Sequence, residues 1–167
     1  MQWDPDASPA SNAKLVLPQM VGNWFESGRR AAAEAVSDEA LHKFRLATKR
    51  FRYTLELFRP VYGPGLEDRL ERLKQVQTSL GDLHDCVIAA TYIADAVKEK
   101  AARAALERHV ASCALRRRAR FRRFWNTSFG PPDERERWAR YLSRPADKSL
   151  PRKSPRQLHP LSPGPSQ

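Results

Sequence analysis

Between Ser37 and Arg59 the chain reads SDEALHKFRLATKRFRYTLELFR, and at 100° per residue this stretch has two distinct faces. Leu41, Phe44, Thr48, Phe51, Leu55 and Phe58 recur at helical spacing and form an unbroken apolar stripe, which predicts a helix with one face in a core. His42, Arg45, Lys49 and Arg52 repeat at the same spacing along a second stripe, flanked by Lys43 and Arg50. At the rise of an α-helix, the row from His42 to Arg52 covers about 15 Å of one edge. Ser37 suits an N-cap, Asp38 and Glu39 sit where the helix dipole favours acids, and Arg59-Pro60 closes the other end.

A row of charges along a helix is usually a solvated face. This one is different in kind, because it holds only basic or protonatable groups until Glu56. A face built for solubility mixes signs and gains i,i+4 pairs. Leu46, Tyr53 and Leu57 lie beside the row, so a second packed surface is expected there and the row becomes the wall of a groove. Such a wall suits an anion.

The chain has 167 residues and a formal net charge of +11, unevenly spread. Residues 1–36 sum to −1, residues 37–83 to +2, residues 84–129 to +6 and residues 130–167 to +4. The excess in the later part attracts a polyanion through its summed field and through counterion release. Charge alone fits RNA, DNA, anionic lipid and a phosphate polymer equally. Cys86 and Cys113 are the only cysteines, each within an apolar helical pattern, and read as buried free thiols in a reducing compartment. No apolar run approaches the ~20 residues a membrane span needs, and the N-terminus does not look like a signal peptide, so a soluble cytoplasmic protein is expected.

In order, residues 1–17 are expected to be loose, and Pro18 is expected to start a helix reaching about Val36, with Trp24 and Phe25 for packing. After the central helix, Gly63-Pro64-Gly65 predicts a tight turn. A further helix from Leu66 to Leu80 follows, antiparallel to the central one. Gly81 is expected to end or bend it, with Asp82 or Asp85 capping a third helix to about Val97. His84 beside these acids invites a metal reading, but no second His or Cys stands at ligand spacing nearby, so a cap with a polar neighbour is the better account.

A fourth helix is expected from about Ala101 to Asn126. His109, Arg116, Arg120 and Arg123 make a second basic stripe on it, widened by Arg117, Arg118 and Arg122. Phe121, Phe124 and Trp125 fit its core side. From Gly130 onward lie eight of the thirteen prolines, and residues 130–167 read as a mostly disordered, Pro/Arg-rich basic tail. Within it a short helix around Glu134 to Leu142 can dock Trp138 and Tyr141 or Leu142 on the bundle. The fold class is therefore all-α: a single four-helix-bundle-like domain over residues 18–129, with long antiparallel helices.

The motif His42-x-x-Arg45-x-x-x-Lys49-Arg50-Phe51-Arg52-Tyr53-x-x-Glu56, followed by Leu73-Lys74-x-x-Gln77-x-x-Leu80-Gly81-x-x-x-Asp85, resembles the CHAD family, the conserved histidine α-helical domain. The resemblance covers roughly residues 36–127 and is closest to the second of that family's two helical bundles. It implies binding of inorganic polyphosphate by basic side chains along a groove. Carried over position by position, it implies a ligand-facing set of His42, Arg45, Lys49 and Arg52, with Lys74 as a neighbour. Arg50 and the later Arg116, Arg120 and Arg123 are further candidate phosphate contacts. Asp85 matches an acidic position read as a cap or orienter, and His84 stands where the family often has Asn.

No copy of the first bundle's basic helix precedes Ser37, so a half-site is expected unless two chains form a homodimer. Polyphosphate-metabolising enzymes are candidate partners, and polyphosphate granules a candidate location. Such binding needs neither a metal nor another cofactor. No carboxylate pair, Gly-rich phosphate loop or metal-spaced His cluster supports an enzyme. The alternative reading is a nucleic-acid-binding protein that uses the Arg-rich fourth helix and the tail.

Overall fold

The computed structural model describes residues 3–145, and these are all-α. The basic stretch beyond Pro145, expected as a disordered tail, lies outside the described residues. Five helices follow in order: α1 (Pro9–Ala31), α2 (Asp38–Leu57), α3 (Gly65–Ala96), α4 (Lys100–Ser128) and α5 (Glu134–Leu142). A 3-10 turn at Arg59–Val61 separates α2 from α3. The packed pairs are α1 with α2 and α5, and α3 with α2 and α4.

Helix α1 starts nine residues earlier than Pro18 suggests. Ser8 is its N-cap, accepting from the Ser11 amide at 3.1 Å, and Pro9 occupies the first turn. Pro18 lies inside the helix, where it cannot donate the usual backbone bond. Ala10, Ala13, Val16 and Leu17 are buried together with Val21 and Trp24, so the burial upstream of Pro18 outweighs that loss. Residues before the helix are also tied down. The Asn12 side chain is buried, accepts from the Asp4 amide at 3.0 Å and donates to the Asp4 carbonyl at 2.7 Å.

Helix α2 follows its sequence closely. Ser37 Oγ accepts from the Ala40 amide at 3.2 Å, and Leu41, Phe44, Thr48, Phe51 and Leu55 are all buried. Thr48 is the polar member of this stripe. Its hydroxyl donates to the Phe44 carbonyl at 2.9 Å and accepts from Trp24 Nε1–H at 3.0 Å, so the group is satisfied in the core.

Helix α3 is one rod of 32 residues, where two helices divided at Gly81 were expected. Glycine costs about 1 kcal/mol in a helix interior. Leu80 and Leu83, on either side, are both buried, and α3 packs on two neighbours at once. Tertiary packing thus carries the helix through, and neither Asp82 nor Asp85 acts as a cap. The break before α4 falls where expected. Glu99 caps α4 by accepting from the Ala101 and Ala102 amides at 2.8 and 2.5 Å, and these two bonds lower its carboxyl pKa. Of the two cysteines expected to be buried, the structure buries Cys86 and leaves Cys113 half-buried.

Helix α5 closes the bundle against α1. Trp138 and Leu142 are fully buried, and the Tyr62 hydroxyl donates to the Leu142 carbonyl at 2.5 Å. Glu134 is the buried acid here. It accepts from Arg72 at 2.5 Å, from Arg137 at 2.6 and 2.9 Å and from Trp138 Nε1 at 3.0 Å. Burial pushes its pKa up, but the bonds from Arg137, Arg72 and Trp138 outweigh that and hold it below the usual value. A carboxyl favoured as the anion in the fold adds stability above its unfolded titration near about pH 4.3, and loses it as pH falls through the lower folded value.

Glu134→Gln should therefore cost about 1–3 kcal/mol at neutral pH. Thermal melts of the two proteins should converge as pH is lowered from 6 toward 3. A gap that stays constant over that range would rule out the ionised form as the stabilising species.

Candidate functional site

The basic row of α2 lies along its seam with α3. At one end the His42 ring sits 5.0 Å from the His84 ring of α3, centroid to centroid. At the other end Arg52 donates from Nε to Gln77 Oε1 at 2.9 Å and pairs with Glu56 at 2.5 Å. The Arg52 guanidinium also lies 4.6 Å from the centre of the Tyr53 ring, and the Lys49 ammonium lies 5.8 Å from the same ring. Arg52 is thus braced from two helices, a fixed post at the end of the row.

Between these ends, Arg45 and Lys49 have no acidic partner within ion-pair distance among the described residues, and Arg50 on the flank has none. Among the described residues three side-chain polar atoms are buried without a hydrogen-bond partner, and two of them belong to this row: His42 Nδ1 and Arg45 Nε. The third is Arg69 Nε, whose guanidinium stacks on Tyr141 at 3.7 Å in a different part of the fold. Where His42 meets α3, a cleft of about 280 Å³ opens, lined by Asp38, Glu39, Leu41, His42, Leu80, Leu83, His84 and Val87. Both acids have cations of their own, Asp38 bonding Arg118 and Glu39 bonding Lys43 at 2.7 Å.

Only one side of this groove is walled. Leu46, Tyr53 and Leu57, expected to border a second packed surface, are exposed, Leu57 at 78%. No described helix covers them, since α2 spends its contacts on α1 and α3.

The remaining candidates stand elsewhere. Lys74 pairs with Glu71 at 3.6 Å and shares a dent of about 260 Å³ with Thr78, Arg120 and Phe124 on the seam of α3 with α4. Arg116 bonds Ser112 at 2.6 Å and Cys113 at 3.1 Å on its own helix, while Arg123 is exposed. The arginines that widen the α4 stripe have structural tasks. Arg118 donates to the Val36 carbonyl at 3.0 Å, Arg122 pairs with Glu34 at 3.2 Å and Arg117 donates to the Asp82 carbonyl at 2.5 Å. They hold the α1–α2 connection and α3, and Phe121 and Trp125 are buried as expected.

The residue that sequence reasoning placed wrongly is His84, read as the neighbour of a cap. A usable signal was present, because His84 follows Gln77 by seven residues and so lies on the same helical face. Among the described residues no group of three or more His, Cys, Asp or Glu is arranged to hold a metal ion, and no helix is long and apolar enough to cross a membrane.

These features define an all-α bundle with a cationic seam between its second and third helices. The family model for the CHAD domain matches residues 2–94, more than half of the chain, and the chain belongs to that family. The matched span runs from before α1 nearly to the end of α3, so α1 is part of the family unit that the motifs alone placed at residues 36–127. No curated protein and no solved structure matches the chain.

Proposed function

We propose that the α2–α3 groove binds inorganic polyphosphate without catalysis. The observation that carries this reading is the combination of unpaired cations and buried, unsatisfied nitrogens in one row. Arg45 Nε–H is a donor only, and a buried donor without an acceptor costs on the order of 1–3 kcal/mol. Phosphate oxygens lying along the seam supply acceptors that the chain itself does not. Polyphosphate is a line of such oxygens with no bases to read, and it is the ligand that CHAD membership suggests. Arg52, already fixed by Gln77 and Glu56, limits the side-chain entropy lost on binding.

The test is calorimetric titration with long-chain polyphosphate at two salt concentrations, with single-stranded DNA of matched charge as the control. Arg45→Ala/Lys49→Ala is the informative variant, because neither residue is committed to a partner inside the fold. It should weaken polyphosphate binding roughly 100-fold, about two charge-assisted bonds, one of them partly exposed. Equal, steeply salt-dependent binding of both polymers would favour the nucleic-acid alternative through the exposed α4 arginines. An equal loss from deleting residues 146–167 alone would displace the groove as the binding site.

A further inference from the structure

We propose that His84 and His42 form a two-imidazole phosphate subsite at the end of the groove, so that binding there takes up protons. This rests on the polyphosphate reading and extends it with His84, which the ligand-facing set of the CHAD-like motif does not include. The two rings come from different helices and approach to 5.0 Å at an interplanar angle of 35°. His42 Nδ1 is buried without a partner, and the cleft beside the pair is open to a ligand.

The pair's surroundings decide what it can hold. Leu41 of α2 and Leu80, Leu83 and Val87 of α3 supply an apolar lining. The charged groups of the cleft are Asp38 and Glu39, and each is engaged, Asp38 by Arg118 from α4 and Glu39 by Lys43. Asp85, next to His84, is exposed, and Arg45 follows His42 by one helical turn along the row. No third ligand completes a metal site among the described residues. Two adjacent imidazolium ions repel one another in a partly apolar cleft, whereas a phosphate oxygen between them turns both into charge-assisted donors. The imidazole is also the side chain that changes charge between about pH 5 and 8. A ring that engages the anion as imidazolium takes up at most one proton from solution, and no covalent bond is broken.

The experiment is calorimetry of polyphosphate binding at pH 6 in two buffers of different ionisation heat, which reads proton uptake directly, with a repeat at pH 8. Wild-type affinity should rise as pH falls, by up to tenfold per pH unit for each proton taken up. His84→Asn and His84→Gln should bind polyphosphate more weakly than wild type, roughly tenfold at pH 6, and should take up fewer protons at both pH values. Thermal melts of the free variants show whether they fold. Two variants of different shape guard against one that does not.

Proton uptake equal to wild type in a folded His84 variant would overturn the subsite while leaving groove binding intact. Binding at pH 8 that is indifferent to Arg45→Ala/Lys49→Ala would instead remove the groove reading on which the subsite depends.

Discussion

Trp24→Ala is expected to be among the most destabilising single changes in the protein, at about 3–5 kcal/mol and a drop of roughly 10–20 °C in Tm. Trp24 is 3% exposed, and its ring lies within 5.0–5.9 Å of Phe25, Phe44, Phe51, Trp125, Phe129 and Trp138. Those partners come from α1, α2, α4, α5 and the turn after α4, so one side chain joins four helices. Truncation leaves a cavity that rigid aromatic neighbours cannot easily fill. Trp24→Phe separates the contributions: it keeps most of the ring, loses the 3.0 Å bond to Thr48 and should cost nearer 1 kcal/mol plus the lost volume. A chemical denaturation series of the three proteins checks the ordering. A loss below about 1 kcal/mol for the alanine variant would mean that the aromatic cluster is not the centre of the core.

Gly28→Ala is the second large effect, and its sign runs against helix propensity. Gly28 lies within α1, where alanine would ordinarily gain about 1 kcal/mol. A Cβ at this position would stand 1.8 Å from Trp125 Cη2 and within 2.4 Å of two further ring carbons. Trp125 cannot swing aside, being 3% exposed and stacked on Phe129 at 4.9 Å. Overpacking of this kind costs about 1–3 kcal/mol and more when the neighbour is held, so a net loss of about 2–3 kcal/mol is expected. Gly22→Ala on the same helix is the control. Its Cβ would meet only the end of the Arg135 side chain at 3.4 Å, and Tm should hold or rise. If both substitutions raised Tm, close approach of α1 to α4 would not explain Gly28.

The central helix was legible because every local cue agreed there. Ser37 caps, the apolar stripe is continuous and the acids sit at the correct end. Where local and tertiary cues disagreed, reading by residue failed in a consistent direction. Pro18 and Gly81 each look like a boundary, yet each lies inside a helix whose buried residues continue on both sides. The cost of one proline or glycine is fixed locally, whereas the compensating burial depends on neighbours far along the chain.

The site shows the same division. The α2 row was visible from spacing, because it belongs to one helix. The Arg52–Gln77 bond, the His42–His84 approach and the use of Arg117, Arg118 and Arg122 as clamps join residues 25 to 88 positions apart or in different helices. No period within a single helix reports them. The α4 arginines therefore looked like one cationic surface, although several are occupied internally.

The docking of α5 on α1 has a consequence for how the protein is made. Glu26 of α1 meets Arg135 only after 109 further positions have been synthesised, and Trp138 follows later still. At cellular elongation rates that interval is on the order of ten seconds. During it α2, α3 and α4 can pair with their sequence neighbours, while the Trp24 side of α1 lacks its last partners. A nascent chain stalled before Glu134 should present that aromatic surface to ribosome-associated chaperones, and one released past Leu142 should not.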